Sequence, residues 1–145
     1  MRYLDRLQPL ALLVMRLVLG AVMIGHGYHK VFANLNEYAN FIGSLHLPQW
    51  LGYLSAFTEF FGGILVILGL FTRCAAIAIV INMTVAIVKV HLKHGLLGQG
   101  GYEFPLALAA IAFALIFFGA GPIALDHIRG GGSRSGGRSP SPRSK

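Results

Sequence analysis

Four long stretches of mostly apolar residues constrain this chain more than any other feature. They cover residues 7–28, 51–71, 74–90 and 104–125. The third stretch extends to residue 94 if the ammonium group of Lys89 reaches the membrane surface. About 20 apolar residues in a helix cross the hydrocarbon core of a bilayer, because a helix rises about 1.5 Å per residue. We therefore predict an all-α integral membrane protein in which four transmembrane helices pack as a bundle.

Charged residues are scarce outside the carboxyl-terminal tail. Asp, Glu, Lys and Arg together make up 12% of the whole chain, whereas about 25% is usual for a soluble domain. Five of the twelve Lys and Arg residues lie in residues 129–145, where there is no acid. The net charge of +7 therefore does not indicate a basic nucleic-acid-binding surface. We predict one membrane domain over residues 1–128 and a disordered basic Gly/Ser/Arg tail over residues 129–145, suited to contacting anionic lipid.

The basic residues also predict the orientation in the membrane. Four crossings place both termini on one side, together with Arg73, and that side carries eight bases. The opposite side carries three, which are Lys30, Lys89 and Lys93. Because basic loops are retained in the cytoplasm, we predict that both termini are cytoplasmic.

A short helix is predicted between the first two spans, within residues 31–47. Tyr38, Phe41, Ile42 and Leu45 recur at the spacing of one helical face. An amphipathic helix of this kind lies in the membrane interface with its apolar face toward the lipid. We expect such an interfacial helix here, with an ordinary loop as the alternative.

Glycines are expected to mark the contacts between spans. Gly20 and Gly27 lie on one face of the first span, and Gly62 and Gly63 lie on one face of the second. Membrane helices associate through close packing of small residues and through hydrogen bonds. These four glycines are therefore predicted packing positions.

Two ionisable residues interrupt the first two spans. Arg16 and Glu59 are each costly within a bilayer unless they are paired. We predict that they form an ion pair, with Asn82 of the third span as a further hydrogen-bond partner. The alternative is that Arg16 reaches the cytoplasmic headgroups and Glu59 is protonated.

A second polar cluster is expected at the outer ends of the spans. It comprises His26, His29, Lys30, Lys89, His91, His94 and Glu103. Each pair of histidines three residues apart could reach one metal ion, but no cysteine and only one carboxylate lie nearby. We therefore expect no metal, and the cluster is interpreted as a wet interface or as a site for a ligand, such as a quinone head group, or for proton exchange.

Several motifs together resemble the DoxX family of small bacterial membrane proteins. They are Gly27-x-x-Lys30, Glu59-x-x-Gly62-Gly63, Gly69-x-x-Thr72-Arg73-x-Ala75-Ala76, His91, Gly100-Gly101-Tyr102-Glu103-x-Pro105 and Gly119-Ala-Gly121-Pro-x-Ala-Leu-Asp126. The last motif departs from the family, which usually has Gly-Pro-Gly followed by Ser-Leu-Asp. The resemblance implies a four-helix inner-membrane protein linked to quinol or thiosulfate–quinone oxidoreduction, or to oxidative-stress enzymes. The recurrent polar positions that it implies are Arg16, Lys30, Glu59, Arg73, His91 and Glu103.

Three functions are compatible with these features. The first is a membrane subunit or partner of a redox assembly, the second a non-enzymatic scaffold or assembly factor, and the least favoured a small transporter. The chain has no flavin or nucleotide fingerprint and one cysteine, so electron transfer would need a partner protein or a diffusible quinone. We expect lipid as a partner, with redox proteins or a second copy of the chain as further candidates. The sequence does not decide whether the chain is itself an enzyme.

Overall fold

The computed structural model describes residues 6–130, and every regular element in that range is a helix. The elements are α1 (Gln8–Tyr28), α2 (Leu35–Ser44), α3 (Trp50–Leu68), α4 (Thr72–Ala86), α5 (Glu103–Phe118) and α6 (Leu125–Gly130). A π-helical turn, His29–Ala33, continues α1. A second π-helical turn, Ile87–His91, and a 3-10 turn, Leu92–His94, continue α4. The predicted disordered tail begins at residue 129, but residues 129 and 130 belong to α6, and from residue 131 onward the tail lies outside the described range.

Three of the continuous helical segments are long and apolar enough to cross a membrane. They are Gln8–Ala33, Trp50–Leu68 and Thr72–His94, with 26, 19 and 23 residues. The fourth predicted span, residues 104–125, is shorter than expected as a helix, because α5 ends at Phe118 after 16 residues. Gly119 then adopts a φ of +71°, which glycine tolerates and which ends the helix.

The long helices form one bundle around a common apolar core. α1 packs along α3, α3 along α4, and α4 along α5, while a smaller contact between α1 and α5 closes the ring. The fully buried core side chains include Leu19, Met23, Val66, Ile79 and Leu115. The fold class is therefore the predicted all-α bundle.

Close approach of the backbones sets the register of α1 against α3. A Cβ atom added to Gly20 would lie 2.7 Å from the carbonyl oxygen of Gly63, and one added to Gly63 would lie 2.8 Å from that of Gly20. A Cβ atom on Gly27 would lie 2.9 Å from the carbonyl carbon of Glu59. Gly62 differs, because its added Cβ would meet only Ile79, at 3.6 Å. Three of the four predicted glycines therefore lie at the α1–α3 contact, and Gly62 faces α4.

The helix predicted within residues 31–47 is present as α2, over a shorter range. Residues 31–33 belong instead to the π-helical turn that continues α1. Ala39 and Ile42 are the buried residues of α2, and Gly52 of α3 approaches the backbone of Ala39. Of the predicted apolar face, Ile42 is buried within the protein, whereas Phe41 stays exposed, as a lipid-facing side chain does. Packing against α3 therefore decides which face of α2 is buried.

Candidate ligand site

A buried carboxylate connects three helices of the bundle. The side chain of Glu59, in α3, is 4% exposed. Lys30 donates to both carboxylate oxygens at 2.7 Å, and the amide nitrogen of Asn82 donates to Oε1 at 2.9 Å. Since a buried carboxyl group is costly unless its charge and its hydrogen-bonding capacity are satisfied, this network is what accommodates Glu59 within the bundle.

The π-helical turn after α1 presents Lys30 to this network. A π-helical turn contains one residue more than an α-helical turn, so it redirects the side chains that follow it. Such turns occur frequently at functional sites. The Lys30 ammonium also lies 4.4 Å from the centroid of the Tyr38 ring, a cation–π contact. The hydroxyl of Tyr38 is in turn 2.9 Å from Ser55 Oγ. Tyr38 therefore connects α2 to the ion pair, a role that its helical spacing did not reveal.

The predicted ion pair between Arg16 and Glu59 is wrong. Arg16 is 1% exposed and donates four hydrogen bonds to backbone carbonyls. Its Nε donates to Val66 (2.9 Å), Nη2 to Ile67 (2.7 Å), and Nη1 to Ala120 (2.9 Å) and Ile123 (2.6 Å).

The register of α1 against α3 explains this difference. With Gly20 opposite Gly63, Arg16 lies opposite the last turn of α3, which contains Val66. Glu59 lies seven residues before Val66, about 10 Å away along the axis of α3. The last carbonyls of a helix have no partner within it and carry the negative end of its dipole, so they accept a buried cation well.

A tight turn closes the bundle beside Arg16. Gly69, at a φ of +67°, ends α3, and the amide of Leu70 donates back to Leu65. The carboxylate of Asp126 accepts from the amides of Phe71 and Thr72 at the start of α4. A side chain on Gly69 would collide with the Arg16 guanidinium. The Arg16 end, meaning the region around residues 66–73 and 117–127, is thus bound together mainly through backbone groups. An open cavity of about 490 Å³ also lies there, beside Arg73 and Asp126.

A cavity of about 340 Å³ opens beside the buried carboxylate, and we call it the Lys30-end cavity. Its lining comes from α1, α3, α4, α5 and the loop before α5. The polar side chains that line it are His26, Lys30, Glu59, His91 and Glu103, and the apolar ones include Met23, Met83, Phe104 and Leu108. The structure thus brings four members of the predicted outer cluster together with Glu59.

The remaining members of the predicted outer cluster do not line the cavity. His29, Lys89 and His94 are exposed and lie outside its lining. Within the described residues, no three side chains of the types that bind metal come together as a site.

A glycine-rich loop closes one side of the Lys30-end cavity. Gly98, Gly100 and Gly101 line it. The loop is held by hydrogen bonds from the amide of Tyr102 to the carbonyl of Gly95, at 3.1 Å, and from the amide of Glu103 to that of Leu96, at 3.0 Å. The family motif contains Gly100 and Gly101 but not Gly98, although the density of glycines between two spans is a signal for a loop of unusual backbone conformation.

His91 is anchored to the same loop. Its Nδ1 lies 2.8 Å from the carbonyl oxygen of Gly100. A carbonyl oxygen only accepts, so Nδ1 carries the hydrogen, and in the neutral ring Nε2 is an acceptor. His91 also ends the second π-helical turn, so one such turn on each side of the cavity carries a polar lining residue.

Residues 11–92 match the family model for DoxX. The chain is 32% identical over 124 residues to a Bacillus subtilis (strain 168) protein named "Putative oxidoreductase CatD", covering 86% of this chain and 90% of that protein. It is also 32% identical over 135 residues to a Haemophilus influenzae (strain ATCC 51907 / DSM 11121 / KW20 / Rd) protein named "Uncharacterized protein", covering 88% and 96% respectively. No solved structure matches the chain significantly.

Proposed function

The chain belongs to the DoxX family of membrane proteins, and on that premise we propose that it is a membrane subunit of a quinone-linked redox assembly. The Lys30-end cavity receives the ring of a quinone or quinol, and a partner oxidoreductase carries the electrons. The name of the Bacillus subtilis relative supports a redox association.

One observation carries this proposal, namely that the Lys30–Glu59–Asn82 network adjoins a cavity. An ion pair that served only to join helices would be enclosed by packed side chains. Here Lys30 and Glu59 line a space of about 340 Å³ whose other walls are largely apolar. Small-molecule sites in proteins have volumes of about 300–1,000 Å³, with apolar walls and a few convergent polar groups. A planar ring with two polar ends fits this pattern.

The polar groups of the cavity are suited to moving protons. A quinol releases two protons and two electrons when it becomes a quinone. His91 and Glu103 line the same cavity as Glu59 and can exchange protons with it or with water at its mouth. The chain's residues therefore bind the ring and transfer its protons, while the partner accepts or supplies the electrons.

We further propose that the chain crosses the bacterial inner membrane four times with both termini in the cytoplasm. α5 has 16 residues, about 24 Å of helix, which is less than the roughly 30 Å hydrocarbon core. Residues 119–124 would complete that crossing. The sequence carries more bases before α1, at Arg73 and after α6 than in the loops at the opposite end, which supports a cytoplasmic Arg16 end. The Lys30-end cavity then faces the opposite side.

The test is to purify the protein in its native lipid and measure co-purified quinone and co-purified proteins. Glu59→Gln removes the negative charge with little change in shape, and Glu37→Gln, at an exposed acid of α2, is the matched control. We expect bound quinone in the wild type and in Glu37→Gln, and at least a fivefold loss in Glu59→Gln at normal membrane abundance. A wild type with no quinone above that of empty lipid particles would refute the proposal. Loss of abundance in Glu59→Gln alone would favour the scaffold function.

A further inference from the structure

The hydrogen-bonding capacity of the Lys30-end cavity is unbalanced. Glu59 and Glu103 offer carboxylates, which only accept when ionised. Lys30 is an obligate donor, but its ammonium is directed at both oxygens of Glu59. His91 has committed its Nδ1 hydrogen to Gly100, which leaves Nε2 as an acceptor. Even when the third hydrogen of Lys30 and the one donor of a neutral His26 are counted, a ligand in this cavity meets more unused side-chain acceptors than donors.

We infer that the cavity binds the reduced, dihydroxy form of the ring more tightly than the oxidised form. This inference rests on the proposed function and adds the direction of its selectivity. A quinol carries two O–H donors, whereas the corresponding quinone carries two carbonyl acceptors of nearly the same shape. An acceptor facing an acceptor leaves both without a hydrogen bond unless water enters between them, and that loss is costly.

His91 is the residue that we assign to this selectivity. Its ring is held by Gly100 and lines the cavity, so Nε2 is the nitrogen left for a ligand hydroxyl. The bond to Gly100 also prevents the neutral ring from turning its other nitrogen to a quinone carbonyl as a donor. The quinol gains one hydrogen bond to Nε2, whereas the quinone leaves Nε2 unpaired. This difference corresponds to about a tenfold preference for the quinol.

The experiment measures binding of tetramethyl-hydroquinone and tetramethyl-benzoquinone to the full chain in lipid nanodiscs. The two probes share size and substitution, and the full substitution of the ring prevents addition of the Cys74 thiol. Equilibrium dialysis without oxygen gives the two dissociation constants, and their ratio is the readout. We expect the hydroquinone to bind about ten times more tightly.

Two substitutions of His91 separate binding from structure. His91→Asn keeps a donor near the position of Nδ1, for the Gly100 carbonyl, and removes the atom at Nε2. His91→Gln removes the bond to Gly100 and places a side-chain amide, which can either accept or donate, near the position of Nε2. We expect the preference to fall to within twofold in both variants, because neither holds an acceptor fixed toward the ligand. A purely structural role of the bond to Gly100 would leave the preference unchanged in His91→Asn, which keeps that bond.

The possible outcomes separate this inference from the proposed function. Equal binding of the two probes, or tighter binding of the quinone, overturns the inference and leaves the proposed quinone site standing. Absence of binding by either probe overturns both. A preference that survives unchanged in His91→Asn overturns the assignment to His91.

Discussion

A methyl group added to Gly63 should separate α1 from α3, whereas the same group on the adjacent Gly62 should be tolerated. The Cβ atom of Gly63→Ala would lie 2.8 Å from the carbonyl oxygen of Gly20 and 2.9 Å from the backbone nitrogen of Ile24. These neighbours are backbone atoms and cannot rotate away. The Cβ atom of Gly62→Ala would lie 3.6 Å from the end of the Ile79 side chain, an ordinary van der Waals contact.

The loss of stability in Gly63→Ala follows from the distance that the two helices must move apart. Relief of the Gly63→Ala clash requires the two backbones to separate by about 0.6 Å, and a gap of this size forfeits about a quarter or more of each dispersion contact along the interface. Overpacking of this kind costs about 1–3 kcal/mol. At about 4 °C per kcal/mol for a chain of this size, Gly63→Ala should lower Tm by about 4–12 °C. Gly62→Ala should change Tm by less than about 2 °C.

The assay is size-exclusion chromatography of detergent-solubilised protein after heating, which measures the fraction that stays monodisperse. The two variants carry the same chemical change in the same helix, so detergent effects cancel in the comparison. Equal losses at the two positions, or a Gly63→Ala protein as stable as the wild type, would refute the close approach of α1 and α3. The register that separates Arg16 from Glu59 would then lose its basis.

Two further predictions concern the buried charges. Arg16→Lys should lower the free energy of unfolding by about 3 kcal/mol, because a point ammonium cannot reach the four carbonyls that the planar guanidinium contacts. Arg73→Lys, at an exposed residue with one 3.3 Å hydrogen bond, should cost under about 0.5 kcal/mol, and equal losses in a heating assay would contradict this account. Lys30→Met should cost about 3–5 kcal/mol by leaving Glu59 unpaired, and adding Glu59→Leu should restore most of the stability. A double variant no more stable than Lys30→Met would show that the cost of losing Lys30 does not depend on Glu59.

Much of the fold follows from local features of the sequence. The apolar stretches specify membrane helices, because length and hydropathy are properties of single segments. Gly69 ends α3 three residues before the end of the second apolar stretch. Gly119 ends α5 earlier than hydropathy indicated, because residues 119–124 are apolar without being helical. Hydropathy alone does not distinguish these two states.

The pairing of the polar residues, in contrast, depends on how the helices are aligned. Helical periodicity identified Arg16, Glu59 and Asn82 as inward-facing, and the cost of charge in lipid required each ionised group to have partners. Periodicity does not identify those partners. If α1 moves along α3 by two helical turns, the group opposite Arg16 changes from Glu59 to the last carbonyls of α3. That alignment is decided by the backbone contact of Gly20 with Gly63, which no single segment contains. Only the tertiary structure therefore unites Lys30 with Glu59 and places both beside a cavity, because the contact energies that select the register arise between helices.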